Sequence, residues 1–301
     1  MTAPSTPDNA LSQLRDVPAP GKLNLFLHVT GRRDDGYHLL QSVFMLIDWC
    51  DRLDFTLRPD GQLSREDVGP SLPPDDLCLR AARALREATG CPLGAHIRVT
   101  KHLPAEAGLG GGSSDAATCL LALNRLWGLG LNRTALRRIG ERLGADVPFF
   151  LGGRNAWVEG VGEHLTPVSV PAARFAVVKP PSGASTPTIF SSPDLKRDTK
   201  TAIIQGFAAN DKSEHPVIDF RRIAEASGND LQPVAQVLCP EVGDCIDWLQ
   251  SQGLQGRMTG SGTAVFALLP TAQHLLPGPG NWVIHECSNM DVHPLIDWCS
   301  D

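Results

Sequence analysis

Residues 107–117 read AGLGGGSSDAA, with four glycines among five consecutive residues. Glycine costs a regular element roughly 0.5–1 kcal/mol per residue, so the loop must gain something in exchange. It runs into residues 114–127, SDAATCLLALNRLW, whose apolar spacing predicts a helix that Ser113 or Ser114 caps. The first turn of a helix has unpaired N–H groups and the positive end of the dipole, and a loop without side chains lets an anion approach them. The stretch therefore predicts a phosphate site.

Neither of the common nucleotide-binding loops fits these residues. A Walker A loop requires a lysine after its last glycine, and the dinucleotide fingerprint requires a glycine where this chain has Ser113. A lone Gly-x-Gly is usually a tight turn before a helix, but the density of glycines outweighs that interpretation here. The sequence therefore indicates a third kind of phosphate loop.

The composition limits the class of protein. The chain has 301 residues, of which 42% are hydrophobic and 20% charged, as is typical of a globular protein of one or two domains. Its net charge of -6 argues against a nucleic-acid partner, and no apolar run approaches the roughly 18 residues that span a membrane. Residues 1–17 lack the apolar core of a secretory signal and are expected to form a disordered tail. No protein partner can be inferred from the sequence.

The cysteines and histidines indicate a reducing compartment without a zinc centre. The eight cysteines form no Cys-x-x-Cys pair and lie mostly in apolar surroundings, so we expect free thiols and a cytoplasmic location. The nine histidines show no His-Glu-x-x-His or His-x-His spacing, which argues against a zinc site.

Predicted strands and helices are mixed along the chain without regular βαβ alternation, which favours an α+β fold over a doubly wound sheet. The predicted helices cover 75–88, 114–127, 134–144 and 246–253. The predicted strands cover 22–29, 43–57, 95–100, 155–161, 174–180 and the region 258–269, with loops at 181–216 and 274–282.

Several segments resemble the GHMP kinase superfamily, which includes galactokinase, homoserine kinase and mevalonate kinase. The motif PxxAGLGGGSSDAA matches the phosphate loop of that family, and other matching segments follow at 20–44, 144–168, 185–190, 229–235 and 258–267. The resemblance implies an ATP-dependent small-molecule kinase that uses Mg²⁺, with a two-domain α+β fold and the active site in the interdomain cleft. The implied division is a tail at 1–17, an N-terminal domain at 18–168 and a C-terminal domain at 169–301.

The resemblance also implies a catalytic pair, Lys22 and Asp146. Lys22 lies in PGK at the start of a predicted strand, and Asp146 lies in GADVP. On its own, such a lysine is more often solvated, and such an aspartate more often belongs to a turn. In the family, the aspartate takes the proton of the attacking hydroxyl, while the lysine keeps it ionised and screens the transferred charge.

The nucleotide site follows from the same resemblance. The implied ATP-binding residues are the phosphate loop and its neighbours: Lys101, Pro104, Gly108, Leu109, Gly110, Gly111, Gly112, Ser113, Ser114 and Asp115. Asp76 matches a further position near the adenine, where many relatives have asparagine. The resemblance does not specify a protein ligand of Mg²⁺; Ser114 is the one candidate.

The resemblance is strongest to a kinase of the non-mevalonate isoprenoid pathway, which phosphorylates the 2-hydroxyl of a cytidine diphosphate-linked methylerythritol. It implies that Tyr37 stacks on the cytosine, His38 hydrogen-bonds its edge and Phe190 covers its opposite face. Asn24 and Thr186 are weaker substrate-side candidates. The glycine-rich turn MTGSGTA, residues 258–264, is implied to close on the phosphates and the substrate.

Two alternatives stay open. One is another GHMP kinase, acting on homoserine, mevalonate or a sugar, in which the Tyr37–His38–Phe190 set would have no role. The other is a non-catalytic module that senses ATP or a metabolite. That module would be expected to lack Lys22 or Asp146, and both are present.

Overall fold

The structure is a computed structural model that describes residues 11–209 and 215–301. The strands are β1 (Gln13–Arg32), β2 (His38–Arg58), β3 (Leu63–Val68), β4 (Gly94–Thr100), β5 (Ala156–Glu159), β6 (His164–Pro167), β7 (Arg174–Lys179), β8 (Arg257–Met258), β9 (Val265–Leu269) and β10 (Val283–Met290). The helices are α1 (Leu77–Thr89), α2 (Gly111–Leu126), α3 (Arg133–Gly140), α4 (Val147–Gly152), α5 (Thr186–Ser191), α6 (Ile204–Phe207), α7 (Phe220–Ala226), α8 (Gln232–Leu238) and α9 (Glu241–Ser251), with a 3₁₀ turn at Ile296–Trp298. Among these residues, no helix has both the length and the apolar character needed to cross a membrane.

A mixed sheet runs through both halves of the chain. Its strands are hydrogen-bonded in the order β3-β4-β2-β10-β7-β9-β8, while β1 pairs with β2, and β5 pairs with β2 and β6. β10 joins the halves because it pairs with β7 over most of its length and with β2 at Asn289 and Met290. The first two strands are therefore tied by hydrogen bonds to the C-terminal half.

β1 is buried on both faces. The alternating pattern predicted a polar face with Lys22, Asn24 and His28, yet these residues are only 3%, 1% and 7% exposed. One core cluster joins the N-terminal part of the sheet to α1, α2 and α4, and two others join β1 to the C-terminal strands. Because polar groups buried in this way cost free energy unless they have partners, β1 is a place to look for function.

α2 begins three residues earlier than the sequence predicted. Its N-cap is Gly110, with φ 71° and no side-chain hydrogen bond to the helix, so the expectation that Ser113 or Ser114 caps it is wrong. Glycine adopts this left-handed backbone without strain, which lets the chain enter the helix before the serines. Both serines consequently lie in the first turn.

Two boundaries differ from expectation. Residues 13–17 are not part of a tail, because Gln13 pairs with Thr56 and Val17 is buried in the core; residues 1–10 lie outside the described residues. The loop expected at 181–216 contains α5 and α6, and its residues 210–214 also lie outside the description. The C-terminal residues return to the N-terminal half, where Leu295 joins the core. The domain division at 168/169 stays a prediction.

Candidate active site

A cleft of about 1140 Å³ brings together residues from both halves of the chain. Apart from Ser114, every residue predicted for catalysis or binding lines it. These are Lys22, Asn24, Tyr37, His38, Lys101, Pro104, Gly108, Leu109, Gly110, Gly111, Gly112, Ser113, Asp115, Asp146, Thr186 and Phe190. The sequence therefore predicted residues that the fold places around one cavity, although their individual roles stay predictions.

The two glycine-rich segments meet backbone to backbone at the floor of this cleft. Gly108 has φ +73°, and a Cβ there would overlap the carbonyl oxygen of Thr259. The backbone N–H of Thr263 donates to the carbonyl of Glu106 at 2.8 Å, and that of Ala264 donates to Ala107 at 3.3 Å. The turn at 258–264 thus fixes the entry to the phosphate loop.

The loop continues directly into the N-terminus of α2. A Cβ at Gly110 would lie 3.3 Å from Cε of Lys22 and about as close to the ring of Phe150, so a side chain there would fill the space beside the lysine. The backbone N–H of Lys22 itself donates to the carbonyl of Leu109 at 2.9 Å. The first N–H groups of the helix and the Lys22 ammonium therefore face the same part of the cleft, which suits an anion.

Lys22 and Asp146 form the pair that the sequence predicted. Nζ of Lys22 lies 3.6 Å from Oδ2 of Asp146, and it also donates to Oδ1 of Asn24. The lysine side chain is 4% exposed and that of the aspartate 28%. Burial lowers the pKa of Lys22, while Asp146 opposes that shift. The carboxylate is thus open to the cleft on one side and paired with a buried ammonium on the other.

Local structure holds both members of the pair. Asp146 is the N-cap residue of α4, with Pro148 in the first turn. Lys22 also lies over the ring of Phe44, with 4.7 Å from Nζ to the ring centroid. Asn24 is fixed in turn, because its Nδ2 donates to Ser42 Oγ at 2.9 Å and its backbone N–H donates to Thr259 Oγ1 at 2.8 Å.

Lys101 lies in a buried cluster with two aspartates. Its Nζ donates to Asp51, which is fully buried, and to Oδ2 of Asp115 at 2.7 Å. Burial raises the pKa of Asp115 to about 7; Lys101 lowers it and Asp51 adds to the rise. For Lys101, burial acts to lower the pKa, but the two carboxylates outweigh it and the pKa is raised. This charge cluster lies beside Gly111, at the point where the phosphate loop enters α2.

Two residues named for the nucleotide side, Asp76 and Ser114, have distinct surroundings within the protein. The Asp76 carboxylate accepts from the backbone N–H groups of Cys78 and Leu79, and it pairs with Nη1 of Arg65 at 2.6 Å. It therefore caps α1 and is held in an ion pair with Arg65. Ser114 is fully buried and its Oγ has no hydrogen-bond partner among the described residues. Because it does not line the cleft, it does not fit as a Mg²⁺ ligand.

The substrate side is formed by β2 and α5. The rings of His38 and Phe190 lie 4.9 Å apart at 33°, whereas Tyr37 is 65% exposed at the mouth of the cleft. Thr186 Oγ1 and Ser261 Oγ are 2.5 Å apart, which ties α5 to the turn at 258–264. The two rings predicted to enclose the cytosine, those of Tyr37 and Phe190, therefore both line the cleft.

The sequence did not single out several residues that shape the site. Asp51 also accepts from the backbone N–H groups of His102 and Leu103, and Asn229 Nδ2 donates to the carbonyls of Met258 and Gly260 at 2.8 Å. Asn229 falls in the segment 229–235, whose match to the family was the available signal. Asp51 is one of three aspartates in the predicted strand at 43–57, and nothing local distinguished it from Asp48 and Asp54.

Comparison with known proteins agrees with this geometry. The sequence model of the GHMP kinases N terminal domain matches residues 76–154, and that of the GHMP kinases C terminal domain matches residues 211–275. A 4-diphosphocytidyl-2-C-methyl-D-erythritol kinase from Polaromonas naphthalenivorans strain CJ2 is 59% identical, covering 99% of this chain and 100% of its own. The kinase of the same name from Variovorax paradoxus strain S110 is 60% identical over 96% of this chain and all of its own.

A solved structure is also similar. The crystal structure of a 4-(cytidine 5'-diphospho)-2C-methyl-D-erythritol kinase superimposes with a TM-score of 0.70 and 31% identity, covering 91% of this chain and 98% of that one. The α+β kinase fold and the superfamily that the sequence indicated are therefore confirmed.

Proposed function

The chain belongs to the 4-diphosphocytidyl-2-C-methyl-D-erythritol kinases, which are GHMP kinases, and we propose that it performs their reaction with the residues of its own cleft. It is an ATP-dependent small-molecule kinase that phosphorylates the 2-hydroxyl of 4-diphosphocytidyl-2-C-methyl-D-erythritol, in the non-mevalonate route to isoprenoid precursors. The observation that carries the assignment of roles is the Lys22–Asp146 pair, 3.6 Å apart at the end of the glycine loop.

The phosphate loop binds the polyphosphate of ATP. The backbone around Gly108–Gly112 carries no side chains that would keep an anion away, and it leads into the free N–H groups of α2. The contact with the turn at 258–264 limits how far the loop can move. A preformed cradle of this kind places donors toward the phosphates before they bind.

Asp146 accepts the proton. The oxygen of the substrate 2-hydroxyl attacks the γ-phosphorus as its O–H proton moves to the Asp146 carboxylate. The bond from the γ-phosphorus to the β–γ bridging oxygen breaks, and ADP leaves with that electron pair. Position matters more than basicity here, because phosphoryl transfer depends mainly on alignment and on charge stabilisation.

Lys22 supplies the matching positive charge. Because it is buried, its field is screened less by water than that of a surface lysine. Its ammonium pairs with the Asp146 carboxylate and offsets charge that develops on the transferred group. Asn24 and Phe44 hold the ammonium in place for both tasks.

Mg²⁺ accompanies ATP in this proposal. It normally keeps several waters and binds phosphate oxygens with one or two carboxylates, so a dedicated cage of protein ligands is not required. The described residues contain no group of three or more His, Cys, Asp or Glu side chains suited to a metal. The carboxylates that line the cleft are those of Asp75, Asp76, Glu106, Asp115 and Asp146. Of these, Asp76 is engaged by Arg65 and Asp115 by Lys101.

Tyr37, His38 and Phe190 bind the cytosine, and Asn24 and Thr186 lie toward the reacting end.

We also place the reaction in the cytoplasm, an assignment supported by the eight free cysteines in the described residues.

The proposal is tested with purified protein in a coupled assay that measures ADP release. ATP, Mg²⁺ and 4-diphosphocytidyl-2-C-methyl-D-erythritol are compared with homoserine, mevalonate and galactose as acceptors. Turnover of the cytidine compound alone is the expected result. Turnover of one of the others instead would remove the cytosine pocket but leave the kinase chemistry, and turnover of none would support a sensing module.

A further inference from the structure

Arg197, in the segment whose role the sequence did not indicate, connects the two aromatic walls of the substrate side. Its Nε donates to Nε2 of His38 at 3.0 Å. Its Nη2 donates to the carbonyls of Phe190 at 3.0 Å and Ser192 at 2.7 Å, and its Nη1 donates to Leu195 at 2.9 Å. One guanidinium therefore joins β2 to the end of α5.

The contact with His38 determines where the imidazole carries its proton. A guanidinium stays protonated in proteins and has no acceptor, so its Nε can only donate. Nε2 of His38 must then be the acceptor, and a neutral imidazole in that position carries its proton on Nδ1. A charged imidazole would place an N–H against the N–H of Arg197.

The surroundings favour the same neutral form. Burial lowers the pKa of His38, and the positive charges of Arg197 and Arg32 lower it further. The ring of His38 lines the cleft beside Phe190. Its remaining nitrogen is thus a hydrogen-bond donor on a ring at the base site.

We propose that Arg197 is a positioning residue for base recognition: it fixes His38 as the Nδ1–H tautomer, so that the imidazole offers a donor to a ring acceptor of cytosine. This inference rests on the proposed function, because it takes the base site as the site of a cytidine nucleotide. The same guanidinium holds the backbone of Phe190, so the donor and the stacking ring keep a fixed spacing.

A fixed donor gives a physical basis for base selectivity. Cytosine presents acceptors at N3 and O2, whereas uracil carries an N–H at N3. A donor at the N3 edge forms a hydrogen bond with N3 of cytosine but faces the N3–H group of uracil. A polar group left unpaired or facing a like group in a binding site costs affinity. Without Arg197, the imidazole could change tautomer and accept from the N–H of uracil.

The tautomer is measured first, by NMR of protein labelled with ¹⁵N in histidine, with His38 assigned by comparison with His38→Gln. The expected wild-type spectrum shows a protonated Nδ1 and an unprotonated Nε2 for His38. Arg197→Met should lose this fixed pattern, whereas Lys196→Met should keep it, since it removes a charge from the neighbouring exposed residue. A wild-type His38 protonated on Nε2 would overturn the tautomer role, whatever the activity.

The consequence is measured by kinetics with the cytidine substrate and its uridine counterpart. The wild-type ratio of kcat/KM should favour cytidine, and Arg197→Met should reduce that ratio about tenfold, the effect expected for about one hydrogen bond. Lys196→Met should leave the ratio unchanged. An Arg197→Met protein that loses activity equally on both substrates would overturn the selectivity role. A wild-type protein that used neither would refute the proposed function, and with it the role in base recognition.

Discussion

The contact between the two glycine-rich segments can be tested by Gly108→Ala. The new methyl group would overlap the carbonyl oxygen of Thr259 and lie 3.1 Å from the backbone nitrogen of Gly262. Both neighbours are backbone atoms, so rotation of a side chain cannot relieve the overlap. The segments would have to separate, which would disturb the hydrogen bond from Thr263 to Glu106.

The expected magnitude has two parts. Alanine at φ +73° costs about 1–2 kcal/mol relative to glycine, because the left-handed region brings its Cβ close to the backbone. Forcing extra volume into a packed contact adds about 1–3 kcal/mol. We therefore expect Gly108→Ala to reduce the free energy of unfolding by about 2–5 kcal/mol and to raise the KM for ATP.

Gly128→Ala is the matched control. Gly128 also has a left-handed backbone, with φ +64°, but a Cβ there would meet nothing within 4 Å. It should therefore cost only the backbone part, about 1–2 kcal/mol, with an unchanged KM for ATP. Urea unfolding of both variants and their ATP kinetics make the comparison. Equal losses of stability and equal KM values in the two variants would refute a close approach at Gly108.

Two further predictions concern buried charge. Asp51→Ala leaves Lys101 with one carboxylate partner in place of two and removes the acceptor for two backbone N–H groups. Urea unfolding should therefore show a free energy of unfolding lower by about 3–5 kcal/mol. A decrease below about 1 kcal/mol would contradict this account. His293 is 1% exposed, and burial, helped by Arg133, lowers its pKa to about 3. The native protein therefore keeps His293 neutral, while the unfolded chain binds a proton on this residue below about pH 6.5. Because the unfolded state gains that proton, the free energy of unfolding falls by about 1.4 kcal/mol per pH unit below that pH and is unaffected by His293 above it. His293→Gln should flatten the dependence of unfolding free energy on pH between about 6.5 and 5, and an unchanged slope would exclude this cause.

The sequence predicted the parts of the site that depend on local pattern. The glycine loop, Lys22 and Asp146 each lie in a short motif, and the fold brings all three to one cleft. Strands with clear alternation, such as 95–100, were placed within a residue or two. Local chemistry is sufficient for such features because the neighbours that define them are adjacent in the chain.

Features that depend on distant pairing were missed. Asp51 meets Lys101 because β2 and β4 pair with Arg52 opposite Thr100, and the sequence alone does not specify that register. β10 was not predicted, since VIHECSNM has no strict alternation, and it becomes a strand by pairing with β2 and β7. Arg197 meets His38 across the substrate side and lies outside the segments that matched the family. The start of α2 was misplaced because the backbone of Gly110, and no side chain, sets it.

The central claim is that Asp146 accepts the proton of the substrate hydroxyl beside Lys22. Single-turnover transfer from γ-labelled ATP to 4-diphosphocytidyl-2-C-methyl-D-erythritol measures that step directly in wild type, Asp146→Asn and the exposed control Asp194→Asn. The account predicts a rate about 10²- to 10⁴-fold lower for Asp146→Asn, with ATP binding retained and Asp194→Asn at the wild-type rate. A wild-type rate of transfer by Asp146→Asn would contradict the account.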